Sequence, residues 1–443
     1  MTTQSSGERD YFSDHSVLLD PYGYFEEMRA RGPVCQLDKR DILMVTGYYE
    51  AIEVLRNTRD FSSSISVPGA AVPLPFDPVG DDISEQIEAH RDRMLGGDMV
   101  VTYDDARHAA VRSLVSRLFT PSRLRANESF MHEFAEGLVR DAVANGRCEI
   151  VNEIATPYVT LVIADLLGVP AQDRELFRKA IDAGPPPGNM DDEEKPTTTA
   201  TLEYLGGFFY QYVQDRRANP RDDVLTELAT ATYPDGSLPD ILEVVRLAVF
   251  LFAAGQDTSA KLLGNAMRRI ADTPALQQQL RGNPGLIPSF LEEVLRLEGS
   301  TKATFRLARR KTRIGEFEVP AGKRVVVALA AANRDPRRWD EPQEFRFDRP
   351  RIREHLAFGR GVHTCIGAPL ARAEVRVILE HFLQHTSAIS LCEEKHGKPG
   401  NRRRLRAELH HSRTGESARR ACREMTGDDT CRAIDVGRPV ARA

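Results

Sequence analysis

A single cysteine, Cys365, lies in a stretch of sequence that could hold a flat, metal-containing cofactor. The stretch is HLAFGRGVHTCIGAPLARAEV, residues 355–375, in which Gly359, Gly361 and Gly367 surround the cysteine. Glycine has no Cβ, so its backbone can approach a large ring closely. A proline four residues after the cysteine opens a helical pattern, and N–H groups at a helix start stabilise a thiolate. We interpret Cys365 as a thiolate ligand; a structural cysteine buried in a turn is the alternative.

A second candidate site is an acid–alcohol pair, Asp257 and Thr258, in the sequence FAAGQDTSA. A hydroxyl group beside a carboxylate can relay protons from solvent. Gly255 would let the helix loosen locally, so that a small ligand could lie beside the backbone. Phe250 and Ala254 lie eight and four residues before Thr258, so they share its helix face and are expected to line a substrate cavity. The alternative is an amphipathic core helix that ends in a common dipeptide.

Glu293 and Arg296, in the sequence EEVLR, form a candidate ion pair. Residues three apart lie on one helix face. Most such pairs are solvated and add little stability. The flanking residues here are mostly apolar, which indicates a buried setting where an ion pair needs further partners.

The elements that must position these residues are mostly helical. Helical spacing of apolar residues dominates from about residue 106 to residue 300, with short β-like segments before and after. The predicted fold class is mainly α with a small β portion. The chain divides into a polar N-terminal extension (residues 1–19), a main domain (residues 20–397) and a polar tail (residues 398–443).

Composition excludes several classes of protein. Apolar residues make up 41% and charged residues 28% of the 443 positions, as in globular proteins. A net charge of −5 argues against a nucleic-acid partner. The chain has no apolar leader and no apolar run of membrane length, so we expect a soluble, cytoplasmic protein. Six cysteines without paired spacing argue against disulfides or a zinc site: Cys35, Cys148, Cys365, Cys392, Cys422 and Cys431.

The cysteine loop also carries a resemblance to a known family. FGRGVHTCIG, residues 358–367, resembles in full the haem-binding loop of the cytochrome P-450 family, and other motifs follow the family's order along most of the chain. The resemblance implies a triangular, mostly helical domain with haem b between an oxygen-activation helix and the helix after the cysteine. It implies that Cys365 is the axial thiolate of the haem iron, and that Phe358, Gly359 and Gly367 contact the cofactor. A thiolate ligand favours cleavage of the O–O bond.

The same resemblance implies roles for the acid–alcohol pair and for four cationic residues. Asp257 and Thr258 fall at the family's oxygen-activation site and would govern proton delivery. Buried haem propionates demand strong donors, and four residues match the family's positions: His108, Arg112, Arg306 and His363. The segment DDARH departs from the family, which usually has a proline before this histidine. For each of the four taken alone, a surface or core role is the alternative.

A structural network and further cavity residues are also implied. The family's ExxR pair meets an arginine from a later segment, here NRDPRRWDEPQEFRFDR, in which Arg349 is the expected partner and Arg346 the alternative. This network would serve the fold and haem retention. In STKAT, residues 300–304, Thr301 and Ala303 are expected to line the substrate cavity.

The tail departs from the family, which normally finishes with β-strands near the substrate. Residues 398–443 are polar and rich in arginine, without alternating apolar residues. Such a segment buries too little apolar surface to offset the entropy of ordering. The sequence therefore predicts a disordered tail and a cavity that is more open on that side.

The function predicted from these features is that of a bacterial-type haem-thiolate monooxygenase. It would insert one oxygen atom of O2 into a lipophilic small molecule, with two electrons from a ferredoxin and its reductase. One alternative is a haem-thiolate enzyme that uses peroxide and needs no proton relay. Another is a non-catalytic haem protein, either a sensor or a decayed paralogue.

Overall fold

Helices dominate the computed structural model, which describes residues 9–182, 197–392 and 406–411. The predicted fold class, mainly α with a small β portion, is confirmed. The α-helices of the described residues are α1 (His15–Leu19), α2 (Tyr22–Arg31), α3 (Tyr48–Arg56), α4 (Ser84–Ala89), α5 (Asp105–Ser116), α6 (Pro121–Ala144), α7 (Thr156–Leu166), α8 (Arg174–Asp182), α9 (Thr197–Ala218), α10 (Val224–Ala229), α11 (Ile241–Asp272), α12 (Pro274–Gly282), α13 (Ile287–Glu298), α14 (Leu329–Ala332) and α15 (Ala368–His385).

The long helix α11 is the centre of the helical part. It packs against α7, α9, α13 and α15, and α15 in turn packs against α6. Apolar residues are buried along the whole length of α11, among them Leu247, Phe252 and Leu263. A helix that is apolar on several faces is stable only when other elements surround it. Two helices of this group, α11 and α15, therefore hold fixed positions relative to each other. None of the helices in the described ranges combines the length and hydropathy needed to span a membrane.

Three small sheets complete the fold. The largest has the strand order β1-β2-β8-β5-β3, in which β2 and β8 are parallel and the other pairs antiparallel. A second sheet has the order β4-β10-β9, and β6 pairs with β7. The strands are β1 (Val34–Gln36), β2 (Ile42–Val45), β3 (Phe61–Ser62), β4 (Arg147–Glu149), β5 (Thr304–Ala308), β6 (Thr312–Ile314), β7 (Phe317–Val319), β8 (Arg324–Val327), β9 (Thr386–Leu391) and β10 (Arg406–His411).

Two parts of the predicted domain division differ from the structure. Residues 9–19 are not a free polar extension, because Phe12 and Val17 are buried in the core formed by the N-terminal elements. Strand β10 lies within the segment predicted to be disordered, and it pairs with both β4 and β9. Ala407 and Leu409 alternate along β10 and are buried in the helical core, which the charged neighbouring residues concealed in the sequence. The rest of the predicted tail lies outside the described residues.

A buried ion network joins α13 to the segment after α14. Glu293 accepts two hydrogen bonds from Arg296, at 2.7 and 2.8 Å, and one from Nε of Arg349 at 3.0 Å. The two side chains Glu293 and Arg296 have no exposed surface. Arg346 contributes only its backbone N–H to Glu293, while its guanidinium group pairs with Glu341 near the surface. Five carbonyl groups accept the remaining Arg296 and Arg349 donors, so the buried charges are nearly fully hydrogen-bonded.

A second buried acidic residue, Glu374 on α15, has no cationic partner among the described residues. Its side chain is 2% exposed, and burial raises its pKa to about 8, although a hydrogen bond from Ser259 on α11 opposes this shift. Desolvation disfavours the charged form of a carboxyl group. Glu374 is therefore protonated near neutral pH, and it joins the two helices as a neutral acid.

We predict that Arg349→Leu lowers the free energy of unfolding by about 3–5 kcal/mol, because it leaves the carboxylate of Glu293 buried without one of its partners. Urea unfolding followed by circular dichroism measures this loss. The matched control is Arg346→Leu, which removes an exposed guanidinium group and should have little effect. Equal losses in the two variants would contradict the structure.

We also predict that Glu374→Gln makes stability less dependent on pH. The unfolded chain loses the Glu374 proton above the ordinary pKa, whereas the folded chain keeps it up to about pH 8. The wild-type protein should therefore lose up to about 1.4 kcal/mol per pH unit relative to the variant as the pH rises between those values. Above about pH 8 the difference should be constant. Thermal midpoints of both proteins across this range measure it, and a pH-independent difference would rule out the raised pKa.

Candidate active site

The cysteine loop is fixed by its own backbone and by α3. The N–H of Cys365 donates to the carbonyl of Phe358 at 2.9 Å, which closes the loop. Gly359 and Gly361 have positive φ angles of +69° and +78°, a conformation that glycine adopts at no steric cost. A Cβ on Gly361 would lie 2.6 Å from the carbonyl oxygen of Leu55 in α3. The loop therefore presses directly against that helix, and only glycine fits at the contact.

The sulfur of Cys365 lies at the start of α15. Gly367 is the N-cap of this helix and Pro369 lies in its first turn, as the sequence predicts. The backbone N–H groups of Gly367 and Ala368 point toward the sulfur, and together with the Arg112 guanidinium group they lower the thiol pKa. Burial has a larger effect and raises that pKa overall. The loop thus supplies hydrogen-bond donors for a thiolate, but these donors and Arg112 do not fully offset the effect of burial on the thiol pKa.

A large cavity opens above the sulfur. It contains about 1620 Å³ of space free of protein atoms, including its mouth. Helix α5, helix α11, strand β5 and the cysteine loop form its walls. Of the residues singled out in the sequence, the following line it: His108, Arg112, Phe250, Ala254, Thr258, Thr301, Arg306, Phe358, Gly359, His363, Cys365 and Gly367. Residues from four separate segments of the chain therefore meet at one place.

Four cationic or imidazole side chains lie together on one wall of this cavity. The rings of His108 and His363 are 4.0 Å apart. Burial, and to a lesser degree the nearby Arg112 and Arg306, lowers the pKa of His108 to about 4; burial and the same neighbours lower that of His363 further. Burial also lowers the pKa of Arg306 to about 10. The imidazoles are therefore neutral here, and the positive charge comes from the two guanidinium groups.

No carboxylate of the described residues forms an ion pair with Arg112 or Arg306. Arg306 donates to uncharged oxygens of Ser66, Thr304 and Phe305, and its Nε is buried without a partner. Nε2 of His363 is also buried without a partner. Arg112 donates to the carbonyl of Thr364. Two unpaired guanidinium charges and orphaned N–H donors beside a cysteine sulfur fit a flat ligand with two carboxylates, which is the chemistry of haem.

Thr258 lies on the opposite wall, on α11. Its hydroxyl donates to the carbonyl of Ala254 at 2.9 Å, and its own carbonyl accepts from Ser300. Helix α11 continues through Gly255 without interruption, so the predicted local loosening is absent. A Cβ on Gly255 would lie 3.6 Å from Ile163 on α7. The close packing of α7 against this stretch supports regular helical geometry.

Two residues predicted from the sequence lie outside the cavity wall. The carboxylate of Asp257 pairs with Nζ of Lys261, one helical turn further on, and both side chains are about half exposed. Ala303 was expected to line the cavity but packs on the N-terminal core instead. Side chains alternate along β5, so Thr304 and Arg306 face the cavity while Ala303 and Phe305 face away.

Ser66, Ser259 and Glu374 are polar residues that line the cavity and were not predicted from the sequence. Glu374 lies four residues after Leu370 on the buried face of α15. Helical spacing counted from the cysteine loop places Glu374 on this buried face. An acidic residue on an apolar helix face was the signal that could have identified it.

Comparisons with known proteins agree with this geometry. A family model described as Cytochrome P450 matches residues 285–403. Cytochrome P450 144 of Mycobacterium tuberculosis is 33% identical over 401 residues, which cover 89% of this chain and 88% of that protein. The solved structure of Mycobacterium marinum cytochrome P450 CYP150A6 in the substrate-free form has a TM-score of 0.85 at 44% identity, and covers 92% of this chain and 100% of that one.

A third similar protein was solved with a ligand. CYP109E1 from Bacillus megaterium, in complex with corticosterone, has a TM-score of 0.72 at 26% identity and covers 88% of this chain and 97% of that one. The resemblance stated from the sequence is therefore confirmed. The chain belongs to the cytochrome P450 family, and it is a monooxygenase that uses a haem cofactor and O2.

Proposed function

We propose that this monooxygenase acts on a lipophilic small molecule and receives its electrons from a ferredoxin and ferredoxin reductase in the cytoplasm. In each cycle O2, two electrons and two protons yield one hydroxylated product and one water. The observation that carries the proposal is that Cys365 and Thr258 open onto one cavity whose wall holds two unpaired guanidinium charges. One cavity thus combines a metal ligand, a hydroxyl group that can donate a proton and a binding site for anionic groups.

The cysteine side of the cavity would hold the cofactor. Cys365 would supply its thiolate ligand and His108, Arg112, Arg306 and His363 would hold its propionate groups, with Phe358, Gly359 and Gly367 in contact with the cofactor. When bound, the haem supplies the means to cleave O2. The residues of this chain anchor its carboxylates: the guanidinium groups of Arg112 and Arg306 would gain the counterions that they lack within the described residues. A carboxylate near His108 and His363 would also raise their pKa values.

The α11 side of the cavity would manage protons. The hydroxyl of Thr258 faces the cavity and can donate a proton once its hydrogen bond to Ala254 is exchanged. Asp257 is proposed as the acid that supplies Thr258 from solvent. Because its carboxylate pairs with Lys261, this step requires the ion pair to open. Because Asp257 is exposed, opening this ion pair costs little free energy.

The remaining wall suits a lipophilic substrate. Apolar residues dominate it, including Val101, Ile163, Phe250 and Leu262. Apolar surface buried on binding supplies the main driving force for such ligands. The corticosterone complex of CYP109E1 supports a substrate of comparable size and polarity. We propose that Phe250, Ala254 and Thr301 contact the substrate. Phe250 and Ala254 lie on one face of α11, and Thr301 lies in the loop before β5.

The cysteine loop offers a short path for electrons from outside. Val362, three residues before Cys365, is 52% exposed. Arg372 and Arg376, on α15 after the loop, pair with Glu292 and Glu128 respectively. The proposed donor would therefore approach the exposed loop itself.

We predict that Cys365→Ala abolishes the red-shifted Soret band that reduced, thiolate-ligated haem gives under carbon monoxide. The change removes the sulfur while the propionate wall remains, so some haem should still bind. Cys35→Ala, which removes a buried thiol outside the cavity, is the matched control and should keep the band. If the Cys365→Ala spectrum equals that of the wild type, another residue ligates the iron.

We predict that Thr258→Ala lowers product formation per electron pair by roughly 10²-fold or more, because the hydroxyl group that delivers protons is lost. Electrons should then appear as hydrogen peroxide, while substrate still shifts the haem absorption. Thr258→Ser keeps a hydroxyl and should remain coupled. Turnover driven by added peroxide should be less affected than turnover driven by ferredoxin. Wild-type coupling in Thr258→Ala would favour the peroxide-using alternative, and no turnover in any protein would favour the non-catalytic one.

A further inference from the structure

A second concave surface, here called the arginine cleft, lies beside the cysteine loop. It contains about 1120 Å³ of space free of protein atoms, including open solvent, between α3, the segment after α14 and the start of the loop. Five arginines and an exposed tyrosine line it: Arg56, Arg337, Arg338, Arg351, Arg360 and Tyr49. Guanidinium groups at such close quarters repel one another unless anions lie between them. The cleft therefore attracts negative charge.

The protein supplies only part of that charge. Three carboxylates compensate three of the arginines, at distances from 2.6 to 3.9 Å. The ion pairs are Arg337 with Glu50 and Asp335, Arg338 with Glu354, and Arg351 with the same Glu354. Glu354 is the sole acidic residue among those that line the cleft within the described ranges. Two arginines lack a carboxylate.

The guanidinium groups of these two, Arg56 and Arg360, form no hydrogen bond or ion pair with any described residue. Arg56 ends α3 at one wall of the cleft, and Arg360 begins the cysteine loop at the other. Arg360 also lines the cavity above Cys365. Because Gly361 presses on the carbonyl of Leu55, the wall that carries Arg56 and the loop that carries Arg360 are in direct contact.

Arg351 adds a second, independent observation. Its φ of 54° lies in the left-handed region, which residues with a Cβ rarely adopt and which costs free energy in a folded protein. Glycine or asparagine would adopt it more readily. The Arg351 side chain is 76% exposed at the cleft. Strained backbone of this kind concentrates at binding and catalytic sites.

We propose that the arginine cleft binds a small phosphate-bearing anion with at least two negative charges. Guanidinium groups bind phosphate oxygens bidentately, and the two uncompensated arginines match two negative charges. The concave shape suits a compact anion better than the flat acidic surface of a protein partner. Arg360 would then be held by the anion, which ties occupancy of the cleft to the position of the cysteine loop.

Calorimetric titration of the haem-bound protein with pyrophosphate, at constant ionic strength set by sodium chloride, tests the proposal without any turnover. The wild type should bind one equivalent saturably. Arg56→Gln and Arg360→Gln should each weaken binding by about tenfold or more, as loss of a charge-assisted contact does. Arg59→Gln is the matched control: its side chain is 82% exposed and lies outside the cleft, so affinity should not change.

Three outcomes would overturn the proposal. Pyrophosphate could bind no better than chloride at the same ionic strength. All four proteins could bind it equally. Polyglutamate could bind where pyrophosphate does not, which would assign the cleft to an acidic protein partner. Because Arg56 is exposed at a helix end, its substitution leaves the fold intact and keeps the test decisive.

Discussion

Positive charge buried without a counterion from the described protein residues is the constraint on which this structure depends. Arg306 is 4% exposed and donates only to neutral oxygens, and Arg112 lies beside it with a single carbonyl partner. An uncompensated buried ion costs several kcal/mol even after the surrounding protein relaxes. A ligand that brings two carboxylates removes this cost, so its binding also stabilises the folded chain around it.

The remaining elements divide two tasks between them. Buried helices α11 and α15 place Thr258 and Cys365 at fixed positions, and Glu374, a protonated acid in contact with Ser259, joins these helices without adding charge. The network of Glu293, Arg296 and Arg349 holds the irregular segment that leads to the cysteine loop. Rigid elements thus set the positions of the residues that line the cavity.

The sequence predicted most of the site because its residues are tied to local patterns. Cys365 lies in a loop with glycines that backbone geometry requires, and Thr258 follows an apolar helical run. The prediction that Ala303 lines the cavity was wrong because side chains begin to alternate between the two faces of the sheet at this point. A shift of one residue therefore decides which face a side chain takes. The pairing of Asp257 with Lys261 was missed, although the two residues are four apart, since a helical spacing does not show which partner a carboxylate selects.

Other differences come from long-range packing. Strand β10 was missed because its two buried residues, Ala407 and Leu409, are surrounded in sequence by charge, and its partners lie far away in the chain. The fold class and the helical core needed no such information. Periodicity over many residues predicts a helix, whereas a six-residue strand depends on whether neighbouring strands are available to pair with it.

The position of β10 has a consequence for how the protein is made. Strands β4 and β9 do not pair with each other; each pairs only with β10, which lies between them. β10 begins 257 residues after β4 ends. During synthesis, β4 must therefore wait with unpaired backbone groups until β10 has emerged from the ribosome. Such waiting strands are templates for association between chains, so expression yield should be limited by chaperone capacity more than by the stability of the finished fold.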